Sequence, residues 1–154
     1  MNYLKLQSDL LKAADKRDRT GKRLSFTYGQ TESAIAVIVD EHYIVFIPKY
    51  RWYLDIDKVF AKMTPLDLKK IMYEDPEDAL PAIDTGITRN LSDGRKVRVF
   101  ENDKVTIWID GACLKYFDLS NATFKATEKN KPLYIYETDN IGESLVGYVL
   151  PVNY

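Results

Sequence analysis

The last third of the chain constrains the fold most. From Lys104 to Val152 it runs through VTIWID, GACLKYFD, ATFKAT, PLYIYE and SLVGYVLPV, which parses as a strand, a short helix and three more strands. β-Branched and aromatic residues suit a pleated surface, and turn chemistry at Asp110-Gly111, Lys131-Pro132 and Asn140 to Gly142 separates the runs. In GACLKYFD, residues Cys113, Leu114 and Phe117 share a face of the short helix, Ala112 to Asp118. The pattern puts Ile107, Ile109, Leu114, Ile135 and Val149 in a core. It is a structural signal and carries no catalytic grouping.

The first third offers a comparable series. Asn2 to Gln7 fits a strand or a helix lead-in. Ser8 is suited to cap a helix from about Asp9 to Asp18, whose apolar face is Leu10, Leu11 and Ala14. Gly21 closes it. RLSFTY, SAIAVIVD and YIVFIP then read as three strands, parted by Gly29-Gln30 and by Asp40-Glu41, with Leu11, Ile35, Val37 and Val45 expected to be buried. AIAVIV is nearly continuous in apolar residues, which predicts a strand covered on both faces or central in its sheet.

Between Lys49 and Glu101 the pattern loosens. KYRWYLDIDKVF is aromatic-rich and predicts extended chain at first. Thr64, Pro65 and Asp67 make a helix start, with the helix continuing to about Tyr73 and burying Leu66, Ile71 and Leu68 or Met72. Glu74 to Asp84 holds five acids and no base, with Pro76 and Pro81, and predicts a loop. Ser92-Asp93-Gly94 between ITRNL and RKVRVF predicts a hairpin over Ile87 to Phe100.

Length and composition bound the function. At 154 residues, 45% hydrophobic and 29% charged, the chain is expected to be one α+β domain with its own core. A formal net charge of -1 excludes a uniformly basic nucleic-acid binder and leaves a local patch open. The first apolar run is interrupted by charges and no long apolar segment occurs, so a cytoplasmic protein without a membrane partner is expected. One cysteine, Cys113, and one histidine, His42, supply no internal disulfide and no zinc site of the usual four-ligand kind.

Catalytic groupings are missing from the pattern. His42 falls at a turn and reads as solvated, and Cys113 reads as a small buried hydrophobe. Glu74, Asp75, Glu77, Asp78 and Asp84 could gather a divalent cation, yet their spacing matches no calcium loop and a solvated acidic loop is the stronger reading. The seven glycines are scattered singly and build no phosphate loop. The expectation is a binding protein with no enzymatic activity, no cofactor and no metal.

Two segments are candidates for binding. Lys12, Lys16, Arg17, Arg19, Lys22 and Arg23 lie within twelve residues, opposed only by Asp15 and Asp18, and can neutralise phosphates beside the open backbone at Thr20 and Gly21. A solvated helix face running into a loop is the competing reading. Tyr50, Trp52 and Tyr53, close after Tyr43, either pack at a sheet edge or form an aromatic surface for a partner protein or unstacked bases.

The two ends share an order of elements: strand, helix and three strands at Tyr3 to Val45, and again at Val105 to Val149. A duplicated β-α-β-β-β unit resembles a domain of the DNA sliding clamps, the ring-shaped processivity factors of replicative polymerases. The likeness is carried by IWIDGACLKYF, by Pro132-Leu-Tyr-Ile-Tyr, and by the closing Gly147-Tyr-Val-Leu-Pro151-Val152. It implies a single clamp-like domain over 1–154 with residues 49–101 as a middle insertion. It also implies helices that turn basic side chains to DNA, and association of several copies into a ring, since a bacterial clamp subunit has three such domains. Residues 49–101 have no counterpart in a minimal clamp domain. Trp52-Tyr53-Leu54 also spells the tripeptide of WYL domains, but that family's flanking basic ligand-binding pattern is absent. The function implied is DNA-associated or replication-associated binding, in a compact protein of the kind phages and mobile elements encode. The alternative is a protein-interaction module or inhibitor of a host factor that touches no nucleic acid.

Overall fold

Asn2, not Ser8, starts the first helix. Its Oδ1 accepts the Lys5 N–H at 3.0 Å, and α1 runs Tyr3–Thr20. The computed structural model describes residues 1–71, 78–140 and 142–153, and the chain divides into one unit of residues 2–72 and another of residues 73–154 with Met1. Once Asn2 caps the chain, Leu6, Leu10 and Ala14 fall on one inward stripe at spacings of four, with nearly buried Gln7 beside them. A strand over Tyr3 to Gln7 would split that stripe between two faces, so no strand precedes the helix. The same geometry turns Leu11 outward, 53% exposed, against the expectation of burial. Gly21 ends the helix in the left-handed region at φ 71°, its N–H donating to Arg17 O at 2.8 Å.

Three antiparallel strands follow in this unit: β1 Phe26–Gln30, β2 Ala34–Val39 and β3 Tyr43–Pro48. β2 is the middle one, and Ile35, Ala36 and Val37 are all buried, as a strand covered on both faces requires. Gly29 belongs to β1 and not to a turn. A Cβ there would lie 2.6 Å from Leu68 Cδ2 and 3.0 Å from Leu66 O, because residues 66–68 press against the strand. Leu66 N–H donates to Tyr28 O at 2.8 Å and so occupies part of the outer edge of β1.

That edge contact explains the helix around residue 68. Thr64 and Pro65 do not open it; α3 spans Leu68–Ile71, with Asp67 Oδ1 accepting the Lys69 N–H at 3.1 Å. Leu66 is 39% exposed while Leu68 is buried. The expected helical residues 72–73 and the acidic residues 74–77 lie outside the described residues, as does the Ile71 side chain. Upstream, Lys49–Arg51 forms a 3-10 turn where extended chain was expected, and α2 covers Ile56–Val59, capped by Asp55 Oδ1 on the Asp57 N–H at 3.0 Å. Phe60 then stacks on Tyr28 with ring centres 4.2 Å apart.

The other unit is antiparallel sheet, in the order β9-β8-β7-β4-β5-β6. Its strands are β4 Leu80–Asn90, β5 Lys96–Glu101, β6 Thr106–Asp110, β7 Ala122–Ala126, β8 Leu133–Asp139 and β9 Gly142–Val149. β4 begins inside the acidic run expected to be a loop, because Leu80, Pro81 and Ala82 pair with Ala126, Lys125 and Phe124 of β7; proline is tolerated this close to a strand start. An irregularity between Asp84 and Thr88, with Gly86 at φ 75°, then redirects β4 onto β5. Their hairpin closes through Leu91 N–H to Arg95 O at 2.8 Å.

The second expected helix, Ala112 to Asp118, is a 3-10 turn over Gly111–Leu114 followed by another over Leu119–Asn121. Asp110 caps the first, its side chain accepting the Ala112 N–H, and Asp118 precedes the second. Cys113, Leu114, Tyr116 and Phe117 are nevertheless buried. The chain is therefore α+β with antiparallel strands, and both ends keep a three-stranded run, β1–β3 and β7–β9. The strand before α1 and the second helix that a strict duplication requires are replaced as described. Ile35, Val37, Val45, Ile107, Ile109, Leu114, Ile135 and Val149 are buried.

Candidate nucleic-acid interface

α1 sorts its residues by angle. At about 3.6 residues per turn, Lys5, Lys12, Lys16 and Arg19 fall within an arc of about 60°, opposite the stripe of Leu6, Leu10 and Ala14. All four are exposed. Fourteen residues at about 1.5 Å each give the row a length of about 21 Å. Lys22 and Arg23 continue the exposed charge past Gly21. Basic groups at this end also face the negative pole of the helix dipole. Asp9 and Asp15 are the acids beside the row, Asp9 within a turn of both Lys5 and Lys12; Asp15 pairs with Arg19 at 3.0 Å, and both side chains are about two-thirds exposed (65% and 66%), so that pair holds only weakly and can open.

Arg17 does something else. Its Nη1 donates to Val59 O at 2.6 Å and its Nη2 to Lys58 O at 3.0 Å, with the side chain 16% exposed. It ties α1 to the last carbonyls of α2 and presents no charge to solvent in line with the others. Lys5 takes its place in the row. In sequence Lys5 precedes the helix that Ser8 would cap; a start at Asn2 puts it seven residues, two turns, before Lys12.

No family model, curated protein or solved structure matches this chain. Its own residues carry the functional argument.

The aromatic candidates separate. Trp52 is half-buried and stacks on Phe60 with ring centres 6.3 Å apart, whereas Tyr50 and Tyr53 are 79% and 63% exposed. Gln7 fixes them. Its Nε2 donates to Arg51 O at 2.9 Å and its Oε1 accepts the Tyr53 N–H at 2.7 Å. Arg51 lies over the Tyr3 ring, 5.3 Å from its centre.

Elsewhere, a groove of about 690 Å³ is bordered by Thr88, Arg95, Lys96, Arg98, Asp110 and Lys115. Its charges are largely spent on neighbours. Arg98 grips Asp84 with two bonds, Nε to Oδ1 at 2.8 Å and Nη2 to Oδ2 at 2.6 Å. Burial pushes the Asp84 pKa up, but the Arg98 hydrogen bond, the Gly86 N–H and the Arg98 charge together outweigh it and leave the carboxyl below its ordinary value. Arg95 pairs with Asp93 at 2.7 Å, and Lys115 sits over the Tyr116 ring. His42 is exposed at its turn and Cys113 is buried. Among the described residues no three His, Cys, Asp or Glu side chains gather as a metal site, and no helix is long and apolar enough to cross a membrane.

Proposed function

We propose that this chain is a non-enzymatic, clamp-like DNA-associated protein that meets the phosphate backbone through the outer face of α1. The observation that carries the reading is the single row of Lys5, Lys12, Lys16 and Arg19, extended by Lys22 and Arg23, on a helix whose opposite face is buried. A flexible lysine finds a phosphate at many positions, and each phosphate neutralised releases condensed counterions. Such a row reads charge and spacing, not base sequence. Arg17 supports it from behind by holding α1 to α2. The three-stranded antiparallel runs at both ends of the chain support the clamp-like part of the reading.

Encircling DNA in the manner of a clamp requires several copies of a chain this size. Pairing through the outer edge of β1 would displace Leu66 from Tyr28, so a ring would form through other surfaces. Light scattering separates the two levels of the proposal: a monomer at high concentration removes the ring and leaves backbone contact standing. The contact itself is tested by fluorescence anisotropy with duplex and single-stranded oligonucleotides at low ionic strength. Binding that is indifferent to sequence, and weakened by the Lys12→Glu, Lys16→Glu double variant, supports the reading. No binding to either form refutes it.

A further inference from the structure

In the unit of residues 73–154, β6 is the last strand of the sheet, yet its outer edge is not bare. Neighbouring strands from β9 to β6 are all antiparallel, so these two end strands run in opposite directions. The chain leaving β9 comes back against β6: the Val152 N–H donates to Trp108 O at 2.8 Å. It arrives through Leu150 and Pro151, and proline holds the residue before it extended. The register shows which groups lie on that edge. Asn102 N–H donates to Val105 O at 2.9 Å in the β5–β6 turn, and bonded and non-bonded pairs alternate from there. Phe100 with Ile107, and Arg98 with Ile109, therefore exchange backbone bonds. Thr106, Trp108 and Asp110 turn their backbone groups away from β5, to the side that Val152 reaches.

We infer that residues 150–152 are a strap that keeps β6 from pairing with the β6 of a second copy of this chain, and that releasing the strap produces a two-fold dimer. Strands of β-branched and aromatic residues pair with other chains when their edges are left uncovered. Thr106-Ile107-Trp108-Ile109 is such a run, with Asp110 the one charge in β6. The edge is also complementary to itself. An antiparallel pair of β6 strands centred on Trp108 sets each Thr106 opposite the other copy's Asp110, and no like charges meet. Its bonds would be made by the backbone groups of Thr106, Trp108 and Asp110, so strap and second copy compete for the Trp108 carbonyl. The strap is lightly held, with Leu150 37% exposed and Pro151 and Val152 only half-buried. It prevails because it is tethered beside β6, where its effective concentration is high, whereas a second copy must come from solution.

The strap is separate from the phosphate contact, which belongs to α1 in the other unit, and its test uses no nucleic acid. Val152→Pro removes the donor and keeps the chain, while Val152→Ala keeps the donor. In light scattering over a concentration series, the mass of the Val152→Pro variant should about double relative to the parent, and Val152→Ala should follow the parent. Charge at the exposed Thr106 then reads the register. Added to Val152→Pro, Thr106→Lys should tighten the dimer at least about twofold through the facing Asp110, and Thr106→Asp should loosen it by at least about the same factor. Hydrogen exchange reads the strap in the parent itself: the Val152 amide should exchange about fivefold slower than in an unstructured peptide. The inference is overturned if Val152→Pro keeps the parent's mass, if Val152→Ala associates as readily, or if the parent's Val152 amide exchanges at the unstructured rate. Association that the two Thr106 substitutions do not move in opposite directions overturns the pairing of β6 with β6.

Discussion

Replacing Gln7 with methionine tests how the aromatic segment is held. The two side chains are alike in length and helix propensity, so the change removes hydrogen bonding and little else. It deletes the 2.9 Å bond to Arg51 O, the 2.7 Å bond from Tyr53 N–H and the local 3.1 Å bond to Tyr3 O, at a residue only 3% exposed. Each long-range bond contributes about 1 kcal/mol net, and a polar backbone group left unpaired costs about 1–3 kcal/mol. The two long-range bonds are only part-buried, which favours the lower end, and their sum is about 2–3 kcal/mol. With a urea m-value of about 1–3 kcal/mol/M, the unfolding midpoint should drop by about 0.7–3 M. Hydrogen exchange gives the sharper reading: the Tyr53 amide should exchange about 30-fold faster, the factor that corresponds to about 2 kcal/mol. A midpoint shift worth less than about 0.5 kcal/mol, with Tyr53 exchange unchanged, would refute the clasp.

Arg17→Gln should lower stability by about 1–3 kcal/mol through the lost bonds to Val59 O and Lys58 O, while Lys16→Gln stays within about 0.5 kcal/mol; chemical denaturation of both compares a tethered with a solvated cation. Gly29→Ala should cost about 1–3 kcal/mol because Leu68 and the Leu66 carbonyl occupy the space of its Cβ, and an unchanged melting temperature would contradict that packing. The lowered Asp84 pKa makes its contribution present above the unfolded value of about 3.9 and lost as pH falls through the folded value. Asp84→Asn should thus be less stable than the parent at pH 6, with the difference shrinking below about pH 4 in acid titrations followed by circular dichroism.

Most strands were legible because each is a run of β-branched and aromatic residues with turn chemistry beside it, as in AIAVIV and PLYIYE. The start of β4 was not. Its first residues sit beside a run of acids and include Pro81, and only pairing with β7, more than forty residues away in sequence, makes them a strand. Gly29 looked like a turn because the reason for it, Leu68 pressing on β1, is a tertiary contact. The first helix was recognised but started six residues late, since Ser8 and Asn2 are both good caps and only the buried stripe of Leu6, Leu10 and Ala14 decides between them. That displacement carried into the site. It hid Lys5, and it gave no means of telling Arg17, which faces α2, from Lys16, which faces water. Tyr50, Trp52 and Tyr53 were equivalent in sequence; the stacking of Trp52 on Phe60 separates them.

The account's central claim is that the outer face of α1 neutralises a phosphate backbone, and the salt dependence of duplex binding tests it most directly. With about four phosphates engaged, log affinity should fall against log salt with a slope near -3.6, a loss of about 150-fold between 50 and 200 mM. The Lys12→Gln, Lys16→Gln variant should reduce the slope by about 1.8 while leaving the far-ultraviolet circular dichroism unchanged. A parent slope near zero, or a slope that the double variant leaves unaltered, would contradict the claim.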